Sequence, residues 1–414
     1  MTRRDATART DGGTTTDDDA TVGDDRAAVG DAASDDAAAE AAATTDPATD
    51  DDPATGTAVD ASTAGGPVGE APPMDVVVSV QHPAHVHFYR NAVRELAARG
   101  HAVHVFALDK DVTLDLLEAA DVEYTALAER TPGGSVPRTQ LTYEYRLWRA
   151  VRRIGPDVVT GVGGVAASHV AALVGARSVV FTDTEHATLS NRLAFPLADQ
   201  ICTPTCYRDQ VGPKQYAYPG YHELAYLHPD RFDPDPDALA GLAVDPDDRF
   251  VVLRLVRRDA MHNAGGEAFP DVREAVERLE ATGAAVLITS EADLPPDLEP
   301  YRATVDPHLM HHLLAFADAF VGESGTMTAE SAVLGTPAVY VHENDTGLTD
   351  DLAEYGLVFP FHGPDRHRAG VRTAVEILDN EVDADWAARR ARMLADRRDT
   401  TDVVVECLLD VGAR

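Results

Sequence analysis

The chain has 414 residues, of which 44% are hydrophobic, and this is enough to form two domains. Its formal net charge is −35, from 70 Asp and Glu against 35 Lys and Arg, and such a surplus would repel nucleic acid and anionic membranes. The acidic residues are spread along the chain and Lys is nearly absent, a pattern typical of proteins adapted to concentrated salt, where screening cancels self-repulsion.

Residues 1–73 are almost all Ala, Thr, Asp, Gly and Pro and include no aromatic residue. Such a segment cannot bury enough apolar surface to offset the entropy lost on folding, so we predict a disordered acidic extension. Arg3 and Arg4 precede no apolar run, which argues against a signal peptide. No later run approaches the roughly 20 apolar residues that a membrane helix needs, so we expect a cytoplasmic protein with no integral membrane segment.

Strands alternate with helices from residue 74 onwards. Strands are predicted over residues 75–80, 102–106, 122–127, 156–160, 178–181 and 199–202. Helices are predicted over about 86–97, 112–119 and 141–154, with a further one of small residues that ends at 174. This spacing indicates right-handed βαβ units and a parallel sheet, so residues 74–228 are predicted to form a Rossmann-like domain. Residues 229–248 are rich in Pro and Asp and are interpreted as a linker.

The alternation restarts at residue 249. Strands are predicted over 250–255, 284–289, 319–322 and 337–341, and helices over 272–282 and 308–317, after Ser324, and from about 368 and 385. We therefore predict a second Rossmann-like domain over residues 249–414 and an α/β fold class for the chain. Ligands of open parallel sheets bind beyond the carboxyl ends of the strands, so the cleft between the two domains is the predicted site.

The turn after the 319–322 strand brings small residues to the start of a short helix. These residues are Gly322, Ser324, Gly325 and Thr326. The first N–H groups of a helix lack partners and its macrodipole favours negative charge, so a diphosphate could bind here, and Gly325 would allow close approach. Glu330, about one turn deeper, could accept hydrogen bonds from sugar hydroxyls. The alternative is an ordinary strand-to-helix turn with a capping Ser or Thr.

Three histidines follow the first strand: His82, His85 and His87. A histidine titrates near neutrality, so one of them could remove a proton from an acceptor hydroxyl. His85 is the preferred candidate because it falls at the junction of loop and helix facing the cleft. Turn histidines without chemistry and a metal site are the alternatives.

Polar residues also follow the 178–181 strand. Asp183, Glu185 and His186 could orient an acceptor, raise the basicity of a histidine or act as bases themselves. In so acidic a protein, a solvated acidic loop is the alternative.

Arginines stand at the end of the 250–255 strand. Arg254 and Arg258 could neutralise the charge of a leaving diphosphate, with salt bridges to surface acids as the alternative. The three cysteines, Cys202, Cys206 and Cys407, are too few for a disulfide framework and are interpreted as free thiols, and no metal site is predicted.

Several motifs together resemble the DUF354 family of archaea and bacteria, over about residues 74–410. They are residues 82–88 (HPAHVHF), 184–187 (TEHA), 195–199 (FPLAD), 311–318 (HHLLAFAD) and 322–337. The family is itself similar to GT-B glycosyltransferases and UDP-N-acetylglucosamine 2-epimerases. The resemblance implies a GT-B-like fold with two Rossmann-like domains facing a central cleft.

The epimerase similarity implies that Ser324 and Gly325 hold a diphosphate and that Glu330 holds the ribose. Thr326 replaces the second glycine of the epimerase turn, and the catalytic carboxylates of the epimerases have no match. The sequence therefore favours a metal-independent glycosyltransferase that uses a nucleotide-diphosphate sugar, with UDP as the expected nucleotide, as substrate rather than cofactor. The acceptor, a glycan or a lipid-linked molecule, is not identified. A 2-epimerase-like enzyme and a non-catalytic binding or scaffold protein are the alternatives.

Overall fold

The structure is a computed structural model, and it describes residues 72–130, 135–256, 269, 271–290, 293–382 and 384–414. The acidic extension as far as Ala71 lies outside the described residues, and so does Arg258.

The N-terminal lobe is built on a seven-stranded parallel sheet with strand order β3-β2-β1-β4-β5-β6-β7. Its strands are β1 (Asp75–Val80), β2 (Ala102–Asp109), β3 (Tyr124–Glu129), β4 (Val158–Val162), β5 (Arg177–Phe181), β6 (Gln200–Pro204) and β7 (Gln215–Tyr218). The helices are α1 (Pro83–Ala98), α2 (Thr113–Ala119), α3 (Val136–Ile154), α4 (Val165–Val174), α5 (Thr188–Ala194) and α6 (Leu224–Leu227). The central strands are apolar on both faces because helices cover both sides of the sheet.

The C-terminal lobe has a five-stranded parallel sheet with strand order β12-β11-β10-β8-β9. Its strands are β8 (Phe250–Leu255), β9 (Ala285–Ser290), β10 (Ala319–Gly322), β11 (Ala338–Val341) and β12 (Val358–Phe361). The helices that follow β8 along the chain are α7 (Val272–Glu280), α8 (Met310–Phe316), α9 (Gly325–Leu334), α10 (Gly347–Glu354), α11 (Arg366–Leu378), α12 (Trp386–Asp396) and α13 (Thr400–Gly412). Three short 3₁₀ helices are Pro236–Leu239, Glu299–Tyr301 and Pro307–Leu309.

The predicted α/β alternation is confirmed, but the sequence analysis did not predict five elements: α5, α6, β7, α10 and β12. It also predicted one helix from about residue 385, whereas the structure has two, α12 and α13, separated at Arg397. Each missed strand has four residues, and α6 is a single turn, so their periodic patterns are too short to detect.

The last helix returns to the opposite lobe. Helix α12 lies on the C-terminal lobe, where the Arg390 side chain donates to the carbonyl of Val333 at 2.8 Å. Helix α13 packs against α1, α6, β4 and β5 of the N-terminal lobe. Inside this contact, Cys407 of α13 lies with its Sγ 3.5 Å from that of Cys202, and both thiols are free and buried. The chain therefore crosses between the lobes twice.

Candidate functional site

The carboxyl ends of the two sets of strands face each other. Glu185, in the loop after β5, accepts a hydrogen bond from the Gly347 amide at the start of α10, at 3.2 Å. Tyr226 of α6 donates from its hydroxyl to Glu330 of α9 at 2.9 Å. The loops predicted to face a cleft are thus close together across the lobes.

Helix α9 begins at the predicted turn. The Ser324 side chain is its N-cap and accepts a hydrogen bond from the Met327 amide at 3.3 Å. The amides of Gly325 and Thr326 have no hydrogen-bond partner within the described residues. Among the described residues, a side chain at Gly325 would meet only the Tyr340 hydroxyl, at 3.7 Å, so no described residue covers the start of the helix there. This end of α9 can therefore accept an anionic group.

Gly322 has a different role from Gly325. A Cβ at Gly322 would lie 2.7 Å from the Cβ of Arg254 and 2.8 Å from the Phe320 ring. This glycine therefore allows β10 to pack against the end of β8, which positions the half-buried Arg254 beside the turn.

Glu330 lies in a buried polar cluster at the base of the cleft. Its Oε1 is 2.9 Å from both the Tyr226 hydroxyl and the His311 Nε2, while Oε2 has no partner within the described residues. The His87 ring packs edge-on against His311 with centroids 4.6 Å apart, and burial, then His311 and Arg90, lower the pKa of His87 well below its usual value. His87 is thus buried in the lobe contact rather than exposed on a helix flank.

Asp183 and His222 form a dyad that the sequence analysis did not predict. His222 Nδ1 lies 3.0 Å from Asp183 Oδ2, and the Thr184 hydroxyl donates to the other oxygen at 3.0 Å. Burial opposes ionisation of Asp183, but the His222 ring and the Thr184 hydroxyl outweigh it and lower the pKa of Asp183 to about 2. In a neutral imidazole, a carboxylate at Nδ1 fixes the tautomer and leaves the lone pair on Nε2. Nε2 is buried and has no partner within the described residues.

His85 lies in the first turn of α1, as predicted. The Gln81 amide donates to its Nδ1 at 3.3 Å, which places the ring proton on Nε2. Burial, followed by His82, His222 and Lys110, lowers the pKa of His85 well below its usual value, against an opposing effect of Asp183. His85 is therefore a neutral hydrogen-bond donor beside the dyad.

Glu223 is the next residue after His222 and is 3% exposed. Burial first, and then the charges of Asp183 and Glu330, raise the pKa of Glu223 well above its usual value. Its Oε2 has no hydrogen-bond partner within the described part of the chain. A buried carboxyl with a raised pKa is therefore close enough to Asp183 and to Glu330 for both charges to act on it.

Glu185 and His186 contact the C-terminal lobe. Besides the Gly347 amide, Glu185 Oε1 accepts from the Arg208 amide at 3.3 Å. The exposed His186 lies with its Nε2 3.0 Å from the carbonyl oxygen of Asp345. The structure thus brings His85 and Asp183 together with His222. The side chains of Glu185 and His186 instead bridge the lobes.

His222, Glu223 and Tyr226 all belong to residues 219–228, for which the sequence analysis predicted no element. A signal was present: His222 and Glu223 interrupt an otherwise apolar run between Tyr221 and Leu227. Buried polar residues in such a run are costly unless they have partners or a function.

Comparison with known proteins assigns the family. The family model described as "Protein of unknown function (DUF354)" matches residues 74–408. The chain belongs to this family. It is 27% identical over 355 residues to the UDP-N-acetylglucosamine--N-acetylmuramyl-(pentapeptide) pyrophosphoryl-undecaprenol N-acetylglucosamine transferase of Azotobacter vinelandii, covering 77% of this chain and 93% of that protein.

Solved structures identify the fold as GT-B-like. The UDP-GlcNAc 2-epimerase of Neisseria meningitidis bound to UDP-GlcNAc is similar, with a TM-score of 0.60 and 12% identity over 81% of this chain and 100% of that one. The calicheamicin glycosyltransferase CalG4 has a TM-score of 0.51 and 16% identity over 83% of this chain and 99% of its own. Within the described residues, no helix is long and apolar enough to cross a membrane.

Proposed function

We propose that this protein is a GT-B-type glycosyltransferase that transfers a sugar from a UDP-sugar to a glycan or lipid-linked acceptor without a metal ion. One observation carries the proposal: within the described part of the chain, no residue covers the amides of Gly325 and Thr326 where α9 begins. A helix N-terminus of this kind stabilises a diphosphate through its amides and macrodipole. The similarity to a UDP-N-acetylglucosamine-dependent transferase supports the choice of donor.

The donor roles follow from the geometry of the C-terminal lobe. The amides of Gly325 and Thr326 would bind the diphosphate, and Glu330 Oε2 would accept hydrogen bonds from the ribose hydroxyls. Arg254 would stabilise the negative charge that develops on the departing UDP. Because amides and a guanidinium supply this stabilisation, the mechanism requires no metal ion.

Proton transfer is assigned to the N-terminal lobe. We propose His222 as the general base, because Asp183 holds its Nδ1 and leaves the Nε2 lone pair free to accept the proton of an acceptor hydroxyl. His85 would donate a hydrogen bond from Nε2 to the same acceptor, since its Nδ1 is occupied by the Gln81 amide. Glu185 and His186 would act indirectly, by keeping the two lobes in contact.

A sugar-nucleotide 2-epimerase is the second candidate, favoured by Glu223. Epimerisation needs both an acid and a base at the donor sugar, and the protonated Glu223 next to His222 supplies such a pair. Product analysis after incubation of UDP-GlcNAc without any acceptor separates the two. An epimerised sugar indicates the second candidate, whereas an unchanged sugar nucleotide that is consumed only when an acceptor is added indicates the first.

The diphosphate site is tested by calorimetric titration of UDP and UDP-GlcNAc in high salt, comparing Gly325→Asp with the isosteric Gly325→Asn. An Asp at the first helical position stabilises the helix but repels a diphosphate, so we expect Gly325→Asp to weaken binding about 100-fold or more. Gly325→Asn should weaken it no more than about tenfold, since it adds size without charge. Equal affinities of the two variants, or a wild-type chain that binds neither ligand, would contradict the proposal.

A further inference from the structure

Exposed apolar side chains are concentrated on one side of the N-terminal lobe. Eight large hydrophobic side chains are exposed in the described part of the chain, and seven of them lie on α3, α4, α5 and the turn after α5. Six of these are at least 46% exposed: Leu141, Tyr145, Leu173, Leu189, Leu193 and Leu197. Leu141, Leu173 and Leu189 are 68%, 70% and 67% exposed, so they contribute little to the core. A concentration of this kind marks an interaction surface.

The three helices form a continuous surface. Helix α4 packs against both α3 and α5. At their junction, His169 of α4 lies with its Nδ1 3.2 Å from Glu144 of α3 and with its Nε2 3.2 Å from the carbonyl oxygen of Leu193 of α5. We call this surface, made of the exposed side chains of residues 136–154, 165–174 and 188–197, the α3–α5 face.

The charge of the α3–α5 face is opposite to that of the whole chain. Helix α3 contains five arginines and one acidic residue, Glu144, although the chain has twice as many acidic as basic residues. All five arginines are exposed, and none forms an ion pair with a described carboxylate. Arg146 donates to the carbonyl of Leu127, and the other four are Arg138, Arg149, Arg152 and Arg153. By contrast, Arg231 is paired with Glu95, Asp399 and Asp402.

Aromatic rings lie among these arginines. The rings of Tyr145 and Trp148 are 5.9 Å apart, and Arg149 and Arg152 lie over them at 6.0 and 4.7 Å. Tyr and Trp beside Arg are typical of side chains at a membrane–water interface, where the rings contact the headgroup region and the cations meet lipid phosphates. A basic helix with an apolar side is likewise typical of segments that lie on a membrane surface.

We infer that the α3–α5 face docks on the surface of an anionic lipid bilayer. Exposed leucines would enter the headgroup boundary, and the unpaired arginines of α3 would contact lipid phosphates. A second copy of the chain is a poorer occupant, because a twofold interface on this face would place the arginines of the two α3 helices opposite each other. The net charge predicted repulsion from anionic membranes, but the local charge of this face is positive.

The position of the α3–α5 face determines which side of the cleft would approach the bilayer on docking. Helix α5 follows the loop of Glu185 and His186, and α4 follows the carboxyl end of β4. Docking would therefore place the acceptor side of the cleft close to the bilayer, where an acceptor with a lipid anchor is located. The docking itself does not depend on which reaction the cleft performs.

The test is co-sedimentation of the full chain with vesicles of phosphatidylglycerol, with phosphatidylcholine vesicles as the neutral comparison. We expect binding to phosphatidylglycerol that weakens as salt is raised from about 0.1 to 1 M, because screening shortens the range of the arginine–phosphate attraction. Arg149→Glu with Arg152→Glu should weaken partitioning about 30-fold or more, at roughly fivefold per lost cation. Leu141→Ser with Leu189→Ser should weaken it about tenfold.

The matched control is Arg368→Glu with Arg372→Glu, which makes the same charge change on exposed positions of α11 in the other lobe. This variant should bind vesicles within about twofold of the wild type. Failure of the wild type to bind phosphatidylglycerol, or an equal loss in the α3 and α11 variants, would overturn the proposal. A dimer in analytical ultracentrifugation that the Leu141 and Leu189 substitutions dissociate, without vesicle binding, would assign the face to a second copy instead.

Discussion

The two lobes present different chemistry at the carboxyl ends of their strands. The C-terminal lobe offers backbone amides at the start of α9, which no described residue covers. The N-terminal lobe offers side chains, since Asp183, His222 and Glu223 combine an ion pair with buried atoms that have no hydrogen-bond partner among the described residues. Fixed amides suit an anionic group that only has to be held, whereas titratable side chains suit proton transfer. Under the proposed function, donor binding would fall to the C-terminal lobe and proton transfer to the N-terminal lobe.

The largest expected effect tests the chemical side of this division. His222→Ala and Asp183→Asn should each reduce turnover of the UDP-sugar by about 10²–10⁴-fold, because the base or its tautomer is lost. The affinity for UDP should change less than about twofold, since neither residue lies at the α9 terminus. Turnover is followed by release of UDP, and affinity by calorimetry. A parallel loss of UDP affinity would show that the division between the lobes is wrong.

The next effect distinguishes two glycines within the C-terminal turn. Gly322→Ala should lower the free energy of unfolding by about 1–3 kcal/mol, because its Cβ would overlap Arg254 and Phe320. Gly325→Ala should leave stability unchanged or raise it by up to about 1 kcal/mol, since it adds helix propensity in open space. Denaturant unfolding of both variants measures the difference. Equal stabilities would mean that Gly322 is not needed for the packing of β10 on β8.

A smaller effect is the contribution of Glu223 to the pH dependence of the free energy of unfolding. The folded state holds this carboxyl protonated because burial raises its pKa, whereas the unfolded chain ionises it at about pH 4.3. Its contribution to stability is therefore complete below about pH 4 and is lost as pH rises toward the folded pKa, by about 1.4 kcal/mol per pH unit. Glu223→Gln cannot ionise, so thermal melts should match wild type at about pH 4 and exceed it at about pH 8.

The control for Glu223 is Glu274→Gln, which makes the same change at an exposed position of α7. Its melting temperature should follow the wild type at both pH values. A Glu223→Gln variant that also follows the wild type at alkaline pH would show that Glu223 ionises freely in the folded protein.

The smallest expected effect tests a predicted catalytic residue. His186→Ala removes one exposed hydrogen bond to the Asp345 carbonyl, so stability should fall by no more than about 1 kcal/mol, and turnover should fall less than about threefold. UDP release and denaturant unfolding measure the two quantities. A loss of turnover as large as that of His222→Ala would restore His186 to the proton chemistry.

The turn at the start of α9 was easier to predict from the sequence than the dyad, for a physical reason. Gly322, Ser324, Gly325 and Thr326 lie within five consecutive positions, and their interpretation depends on a local strand–turn–helix pattern. The dyad joins Asp183 to His222, 39 positions later, through the tertiary fold. Its two residues carried separate signals, and no periodic pattern links them. The expected positions of His85 and Asp183 at strand ends were correct, but their partners required coordinates.

The same physical reasoning explains which parts of the fold could be predicted from the sequence. Long apolar strands such as β1 and β8 were predicted with their observed bounds because they are buried on both faces. The return of α13 to the N-terminal lobe was not predictable, since its apolar residues would suit either lobe. Only the packing of α13 against α1 and α6 decides between them.

This return places the two connections between the lobes side by side. The Arg398 amide donates to the Pro219 carbonyl at 2.7 Å, so the second crossing runs beside the segment that leads to the first. Two adjacent connections allow the lobes to rotate about the line that passes through both connections. They resist twisting of one lobe relative to the other about any other axis. Opening of the cleft to admit substrate should therefore follow a single axis, and cutting the chain before Thr400 should free the lobes to twist.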